Sequence, residues 1–216
     1  DFFAVSRTAF LIDGFNLYYS AREAGKAAGG RGTKWLDVVS LCQSYLYLVS
    51  PTAILAEVHY FSALATHREA WDPHVTERHR AWIACLSDTG VQVELARFKG
   101  RAAECGQCGR RLTRFEEKET DVAIACRLLD IFVADRADAV VLLTGDKDLA
   151  PAARMARRLF PEKIVAFAFP YGRKNGELAR TADIAFTIGG AQYAKHQLPD
   201  PCVLKNGRVI PKPAAW

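Results

Sequence analysis

Short apolar runs alternate along the chain with segments in which apolar residues recur every three or four positions. The first pattern is typical of buried strands, and the second is typical of amphipathic helices. Strands are predicted over Thr8–Ile12, Ala53–Phe61, Val91–Phe98, Ala139–Thr144, Lys163–Phe169 and Ile184–Ile188. Helices are predicted over Leu17–Ala24, Trp35–Leu48, Asp72–Leu86, Glu117–Val133, Leu149–Leu159 and Glu177–Thr181.

This alternation predicts an α/β fold with a parallel sheet covered by helices on both faces. The 216 residues are enough for one such domain. We expect the domain to span residues 1–189, followed by a Pro-containing C-terminal tail at 190–216 without a long periodic segment. A basic insertion rich in Gly, Cys and Arg interrupts the pattern at residues 99–115.

Aspartates directly follow two of the predicted strands. Asp13 comes after the first strand, and Asp146 and Asp148 come after Ala139–Thr144. Because the carboxyl ends of parallel strands meet at one edge of the sheet, we expect these side chains to lie close together. Crowded carboxylates repel one another, so a hard divalent cation with oxygen ligands, Mg²⁺ or Mn²⁺, is expected among them. Such an ion can activate water and stabilise charge on a phosphodiester.

Each of these residues also has a purely structural interpretation. Asp13 can cap the helix that follows, Asp121 can complement a helix N-terminus, and Asp146 and Asp148 can be turn residues. Asn16 can begin the helix or provide a second polar group beside a metal. The structural interpretation weakens for the set, because two separate strands end in turns that contain both Asp and Gly.

Three segments follow one another along the chain: Asp13-Gly14-Phe15-Asn16, Glu117-Lys118-Glu119-Thr120-Asp121 and Thr144-Gly145-Asp146-Lys147-Asp148-Leu149-Ala150-Pro151. Together they resemble the motifs of the NYN domain, a branch of the PIN-like ribonuclease superfamily. Leu178 and the pair Ala182-Asp183 fit the end of the domain, so the resemblance covers residues 8–188. It implies a Rossmann-like fold and a metal-dependent ribonuclease that hydrolyses phosphodiester bonds of single-stranded RNA as an endonuclease.

The resemblance also implies a candidate catalytic set. Its metal-binding carboxylates correspond to Asp13, Asp121, Asp146 and Asp148, with Asn16 as a polar companion. Two positions depart from the family pattern. Glu119 stands where a glycine is usual and crowds the turn before Asp121, and Thr144 replaces a frequent serine.

The net charge of +5 is unevenly distributed. Residues 97–118, 154–174 and 190–216 carry net charges of +4, +5 and +3, and the remainder carries −7. This arrangement favours a polyanion held near carboxylates, although ordinary solvated surface gives the same pattern. If the partner is RNA, single-stranded or structured, the basic residues expected to contact it are Lys99, Arg101, Arg110, Arg111, Arg114, Arg173 and Lys174.

Cys105 and Cys108 form a CxxC turn within the insertion. The spacing is that of half a zinc site, and no second CxxC is present. Cys85, Cys126 or a histidine among His67, His74 and His79 would have to complete the site. A pair of free thiols on a basic loop is the other interpretation, and a redox pair is disfavoured because the turn does not open a helix.

A membrane protein is not expected. The longest run without charged residues, Val38–Ala56, contains Gln43 and a central Pro51 and fits a helix followed by a strand. No segment has the basic start and apolar core of a signal peptide, and three of the six cysteines lie in apolar patterns. We therefore expect a cytoplasmic protein without structural disulfides, and the oligomeric state stays open.

Two functions compete: a ribonuclease, and a non-catalytic RNA-binding or regulatory module with the same fold. The presence of all four aspartates favours the ribonuclease. A phosphatase of the haloacid-dehalogenase type is disfavoured, because Phe15 stands where that chemistry needs a second Asp, and no phosphate-binding loop motif is present. The choice between RNA and DNA stays open at this point.

Overall fold

In the computed structural model, which describes residues 6–30, 32–104 and 106–216, strands and helices alternate as predicted. The strands are β1 Ser6–Asp13, β2 Ala53–Ala63, β3 Gln92–Glu104, β4 Arg111–Lys118, β5 Ala139–Leu143, β6 Ile164–Phe169, β7 Ile184–Thr187, β8 Cys202–Val203 and β9 Val209–Ile210. The helices are α1 Gly14–Ala27, α2 Val38–Gln43, α3 Val75–Asp88, α4 Thr120–Val133, α5 Ala150–Leu159, α6 Gly176–Ala179 and α7 Gly190–Lys195.

Seven strands form one sheet in the order β4-β3-β2-β1-β5-β6-β7. The pairs from β3 to β7 are parallel, and only β4 runs antiparallel to its neighbour β3. The predicted α/β class, with a mainly parallel central sheet flanked by helices, is therefore confirmed. The strand order changes direction at β1 and β5, so their carboxyl ends form the crevice in which such sheets bind ligands. Within the described residues, no helix is both long and apolar enough to span a membrane.

Alternate residues of the central strand β1 face opposite layers of helices. Phe10 and Ile12 belong to the core shared with α1, α2, α3 and α7, whereas Ala9 and Leu11 belong to the core shared with α4, α5 and α6. All four side chains are at most 1% exposed. Burying a large apolar side chain contributes about 1.5–3 kcal/mol. The strand is thus fixed from both sides, and the loops at its carboxyl end begin from a rigid support.

The basic insertion is an ordered β-hairpin, in contrast to the predicted break in pattern. β3 continues past Phe98 to Glu104, and β4 returns beside it in antiparallel register from Arg111 to Lys118. Glu117 consequently lies in a strand, and the helix that was predicted to begin there begins at Thr120. The hairpin has few apolar residues, so hydrophobic periodicity does not reveal it, and backbone hydrogen bonds between the strands provide its order.

The predicted helix Trp35–Leu48 is also shorter than expected. Asp37 caps α2 by accepting a hydrogen bond from the Ser40 N–H (2.9 Å), and the helix ends at Gln43. Leu36 pairs with Gln197 in an isolated bridge, which holds the preceding residues in an extended conformation. The helical spacing of apolar residues therefore extends on both sides of the helix, over residues that are not part of it.

Residues 190–216 pack against the same core as the sheet. Tyr193 of α7 is fully buried, its hydroxyl is hydrogen-bonded to Ser20 Oγ (2.7 Å), and it accepts from the Tyr171 N–H (3.2 Å). Cys202 and Ile210, from the short antiparallel pair β8–β9, join this core as well. The C-terminal segment therefore contributes to the stability of the domain.

We expect Tyr193→Ala to lower the free energy of unfolding by about 3–5 kcal/mol, because it removes a buried ring and both of its hydrogen bonds. Urea denaturation measures the change. Tyr47→Ala is the matched control, since Tyr47 is 69% exposed, and its effect should stay within about 0.5 kcal/mol. Equal losses in the two variants would show that the C-terminal segment adds nothing to the core.

Candidate active site

Asp13 connects the ends of the two central strands. It is 5% exposed, and one carboxylate oxygen accepts a hydrogen bond from the Asn16 N–H (3.0 Å), which caps α1. The other oxygen accepts from the Asn16 side-chain amide and from the Thr144 hydroxyl (2.9 Å). Asp13 therefore caps a helix and also ties β1 to the residue that follows β5. The structural and functional interpretations of this residue are compatible.

The glycines beside this carboxylate allow close packing of the backbone. A Cβ atom on Gly14 would lie 2.6 Å from the Phe61 carbonyl oxygen and from the Tyr60 ring. A Cβ atom on Gly145 would lie 2.5 Å from the Arg173 carbonyl oxygen. Any larger residue at either position would push the strand ends apart, so both motif glycines serve the geometry of the site.

The turn after β5 carries two aspartates, of which Asp146 lines the cleft beside Asp13 and Asp148 does not. The Thr144 hydroxyl accepts from the Asp146 N–H (3.0 Å), and Asp146 in turn accepts from the Asp148 N–H (3.0 Å). Asn16 Oδ1 accepts from the Gly145 N–H at 3.3 Å. Asp146 is half-buried and Asp148 is exposed. Asn16 and Thr144 thus hold the Asp13 carboxylate and the Asp146 turn in one network.

Asp121 and Glu117 approach the same edge from the other side. Together with Asp13, Asn16 and Asp146 they line a cleft of about 310 Å³. Glu117 accepts a hydrogen bond from the Thr120 hydroxyl, which joins the end of β4 to the start of α4. The sequence pattern places Glu117 on a helix face, so only its position within the motif segment could have indicated a role at the site.

Three acidic side chains in the cleft have raised pKa values. Burial raises the pKa of Asp121 to about 6, with further increases from the charges of Asp146, Asp13 and Asp148. Burial likewise raises the pKa of Glu117 to about 7, against the hydrogen bond from Thr120. Burial also raises the pKa of Asp13, although the donors from Asn16 and Thr144 oppose the effect. These carboxylates are therefore close enough to influence one another's ionisation.

The oxygen donors fit a hard divalent cation better than a thiophilic one, because every polar side chain lining the cleft between Asp13 and Asp146 is a carboxylate, an amide, a hydroxyl or an ammonium group. In the described part of the chain, no three His, Cys, Asp or Glu side chains are drawn tightly enough together to enclose a metal ion. The site is thus an open cleft with suitable ligands at its walls.

Glu119 has a left-handed backbone conformation, with φ of +83°. This explains why a glycine suits the position, since a residue with a Cβ atom is strained there. The Glu119 carboxylate pairs with Arg97 at 3.2 Å, and Glu119 also lines the cleft. Asp121 accordingly lies in the first turn of α4 and lines the cleft, despite the departure from the family pattern.

The basic residues of the hairpin divide between its two faces. Strand alternation places Lys99, Arg101 and Arg114 on one face, opposite the face that carries Phe98 and Phe115. Arg111 begins β4 on the aromatic face, and Arg110 precedes it in the turn. Arg173 lies beside Gly145 and over the Tyr19 ring, 5.6 Å from its centroid, and the neighbouring Lys174 is exposed.

Cys108 of the CxxC motif lies between β3 and β4, at the tip of the hairpin. Cys108 is exposed there, whereas Cys105 falls outside the described residues. The zinc site therefore remains a prediction. Of the proposed further ligands, Cys85 is buried in α3 and Cys126 is exposed on α4, while His67 stacks against the base of the hairpin.

The fold and cleft define the class of this protein: a Rossmann-like α/β domain with a carboxylate-lined crevice at the carboxyl ends of its central strands. A family model of the NYN domain matches residues 7–189, and the chain therefore belongs to the NYN domain family, within the PIN-like nuclease superfamily.

Two similar proteins place this assignment in context. The chain is 24% identical, over 251 aligned positions, to 6-hydroxy-3-succinoylpyridine 3-monooxygenase HspA of Pseudomonas putida, with 97% of this chain and 75% of that protein covered. The crystal structure of a protein of unknown function from Vibrio parahaemolyticus is similar, with a TM-score of 0.58, 20% identity and coverage of 88% of this chain and 96% of that one. At this identity the structural likeness supports the fold alone.

We expect Asp121→Asn to stabilise the protein in EDTA at pH 8. The pKa of Asp121 is about 6 in the folded protein, whereas in the unfolded chain it is ~3.9. The folded state binds more protons between these values, so the free energy of unfolding falls as pH rises through them. Asp121→Asn avoids this loss, so its free energy of unfolding should exceed that of wild type by about 1–2 kcal/mol at pH 8. The difference should disappear near pH 4.

Urea denaturation at both pH values measures this effect. Glu162→Gln provides the control, because Glu162 is exposed and lies outside the cleft, and it should match wild type throughout. If Asp121→Asn were the less stable protein at pH 8, mutual repulsion within the cleft would be the wrong description of the site.

Proposed function

We propose that this protein is a metal-dependent ribonuclease that hydrolyses phosphodiester bonds of single-stranded RNA, and that it cuts as an endonuclease. The observation that carries the proposal is the convergence of Asp13, Asp121 and Asp146 on one cleft at the carboxyl edge of the sheet. Membership of the NYN family supports the same chemistry, since the superfamily consists of PIN-like nucleases. No serine or cysteine nucleophile is needed for it.

We assign Asp13, Asp121, Asp146 and Asp148 as ligands for Mg²⁺ or Mn²⁺. When bound, the cation supplies activation of water and neutralisation of charge on the phosphodiester. Asn16 and Thr144 act as positioning residues, because their hydrogen bonds fix the Asp13 carboxylate and the turn that carries Asp146. The raised pKa of Asp121 supports the assignment, since a group of repelling carboxylates gains most from a divalent counter-charge.

The basic face of the hairpin, consisting of Lys99, Arg101 and Arg114, is proposed to contact the phosphate backbone of RNA, together with Arg110, Arg111, Arg173 and Lys174. In the described residues no ion pair occupies Lys99, Arg110, Arg111 or Arg114, whereas Arg101 has Glu116 at 3.9 Å. Unpaired cations on a solvent-exposed arm are free to meet phosphates. A cytoplasmic location is part of the same proposal, as RNA is found there.

The second candidate is a non-catalytic RNA-binding module. It would bind RNA through the same basic hairpin, and the cleft would have no catalytic role. The elevated pKa values in the cleft favour the enzyme, because a binding module gains nothing from carboxylates that are partly buried beside one another at a cost to the stability of the fold. The monooxygenase activity in the name of the Pseudomonas relative is that protein's own and carries no proposal for this chain at 24% identity.

We expect the wild-type protein to cut labelled single-stranded RNA in Mn²⁺ or Mg²⁺ and to leave it intact in EDTA. Asp146→Asn should reduce the rate by about 10²-fold or more, because it removes a charge aimed at the reacting centre. Urea denaturation should show that the variant folds normally, and Glu162→Gln should cut at the wild-type rate. DNA of the same sequence, tested in parallel, decides between the two nucleic acids.

RNA binding without cutting, in every metal tested, would instead establish the binding module. An Asp146→Asn variant that still cuts at the wild-type rate would remove Asp146 from the candidate catalytic set.

Neutralising Lys99, Arg101 and Arg114 to Gln should weaken RNA binding and reduce the slope of log K against log salt by up to about 2, at about 0.7 per lost contact. Fluorescence anisotropy across a salt series measures this slope. The matched control neutralises Lys205, Arg208 and Lys212 in the C-terminal segment, which removes the same charge elsewhere. Equal slopes for the two triple variants would mean that net charge, and not the hairpin, determines affinity.

A further inference from the structure

A second and larger cavity lies beside the carboxylate cleft. Its volume is about 720 Å³, within the range of pockets that bind small organic groups. Phe15 and Glu117 line both this cavity and the cleft, so the two spaces adjoin. The larger space, which we term the aromatic cavity, plays no part in the site described above.

Aromatic rings from several separate elements form the walls of the aromatic cavity. The His67 ring stacks on Phe115 with centroids 4.5 Å apart, and it meets Phe98 edge-on at 4.4 Å. Phe98 contacts Phe15 in turn, at 5.5 Å. Tyr60, Trp82 and Trp216, which also line the cavity, form a second chain of edge-to-face contacts. Two groups of aromatic rings make the cavity suited to a planar aromatic ring.

Two rings that line the cavity, those of Trp71 and Phe115, remain accessible to solvent. Trp71 is 79% exposed, and Phe115 is 40% exposed. Exposed aromatic side chains at the rim of a cavity are typical of surfaces on which bases of single strands stack. Burial lowers the pKa of His67, with Arg68 adding to the effect, so this ring is neutral at physiological pH and suited to stacking.

Three cations line the same cavity, together with the carboxylates of Asp72 and Glu117. Lys34, Arg68 and Arg78 all contribute to the wall, and Arg78 pairs with Asp72. Lys34 donates to the Ala215 carbonyl oxygen at 3.0 Å, and among the described residues neither it nor Arg68 has an ion pair. The charges of Arg78, Arg22 and Asp72 act on Lys34, whereas those of Asp13 and Asp121 act on Glu117. The surroundings of Lys34 are therefore mainly cationic, and those of Glu117 are acidic.

We propose that the aromatic cavity binds one unstacked base of a single-stranded RNA, with Lys34 and Arg68 on a phosphate of the same strand. The inference rests on the proposed function, since it extends the path of the strand from the carboxylate cleft past Phe15. A base with its attached phosphate matches both properties of the cavity, the aromatic walls and the unpaired cations. It also explains why the cavity adjoins the cleft, because consecutive nucleotides are covalently linked.

A decisive test measures RNA binding in EDTA, where no cutting interferes. The probe is a fluorescein-labelled single-stranded RNA of ten nucleotides, and the variants are Trp71→Ala and Phe115→Ala, whose native folding is checked by urea denaturation. Each variant should weaken binding by about 5- to 150-fold, the range measured for loss of one stacking partner. Tyr47→Ala removes an exposed ring outside the cavity and should bind like wild type.

A second set of RNAs, each with one base replaced by an abasic ribose, locates the occupant. At one position the abasic RNA should bind wild type more weakly, and the loss from Trp71→Ala or Phe115→Ala should disappear on that RNA. Wild-type affinity in both variants would overturn the proposal. Binding of nicotinate, measured by tryptophan fluorescence, is the second check. If nicotinate saturates the cavity and RNA does not compete with it, the proposal is also overturned, because the cavity would then bind a free aromatic acid.

These outcomes are separable from those of the cleavage assay. If the protein cuts RNA but both ring variants bind normally, the ribonuclease stands and the base-binding cavity fails. If the protein binds RNA with the expected loss in the variants but cuts nothing, the cavity stands and the ribonuclease fails.

Discussion

The candidate site depends on one interaction, the set of hydrogen bonds received by the buried carboxylate of Asp13. A carboxylate at 5% exposure is costly unless donors surround it, and here Asn16 and Thr144 provide them. Because these donors come from the residues after two different strands, the same bonds hold the two loops together. These hydrogen bonds therefore determine the positions of the cleft, the turn that carries Asp146 and the start of α1.

Much of this arrangement was predictable from the sequence, because each feature is local. A run of apolar residues ending in Asp13, and another followed by Asp146 and Asp148, indicate two buried strands with acidic ends. Parallel strands must bring such ends to one edge, so the topology follows from the element types. The positions of Asp13 and Asp146 in a shared cleft agree with that expectation, and the family match over residues 7–189 agrees with the motif segments.

The features that were missed depend on contacts between distant residues. The β3–β4 hairpin contains Gly, Cys and many charged residues, and its pairing from Arg97–Lys118 to Glu104–Arg111 leaves little trace in the order of apolar residues. Glu117 belongs to the cleft only because β4 ends beside α4. The aromatic cavity likewise combines rings from β2, α3, the hairpin and the C-terminus, a combination that no single segment records.

The hairpin has a further consequence for how this fold can diversify. Its base carries Phe98, Phe115 and Glu117, which line the two cavities, whereas residues 106–110, the described part of its tip, line neither. Contacts outside the hairpin hold its base, because Phe98 packs on Phe15 and Phe115 packs on His67. Exposed loop tips tolerate insertion and exchange, so the tip can change while these contacts keep the base in place. The architecture thus separates a variable arm from two cavities of constant shape.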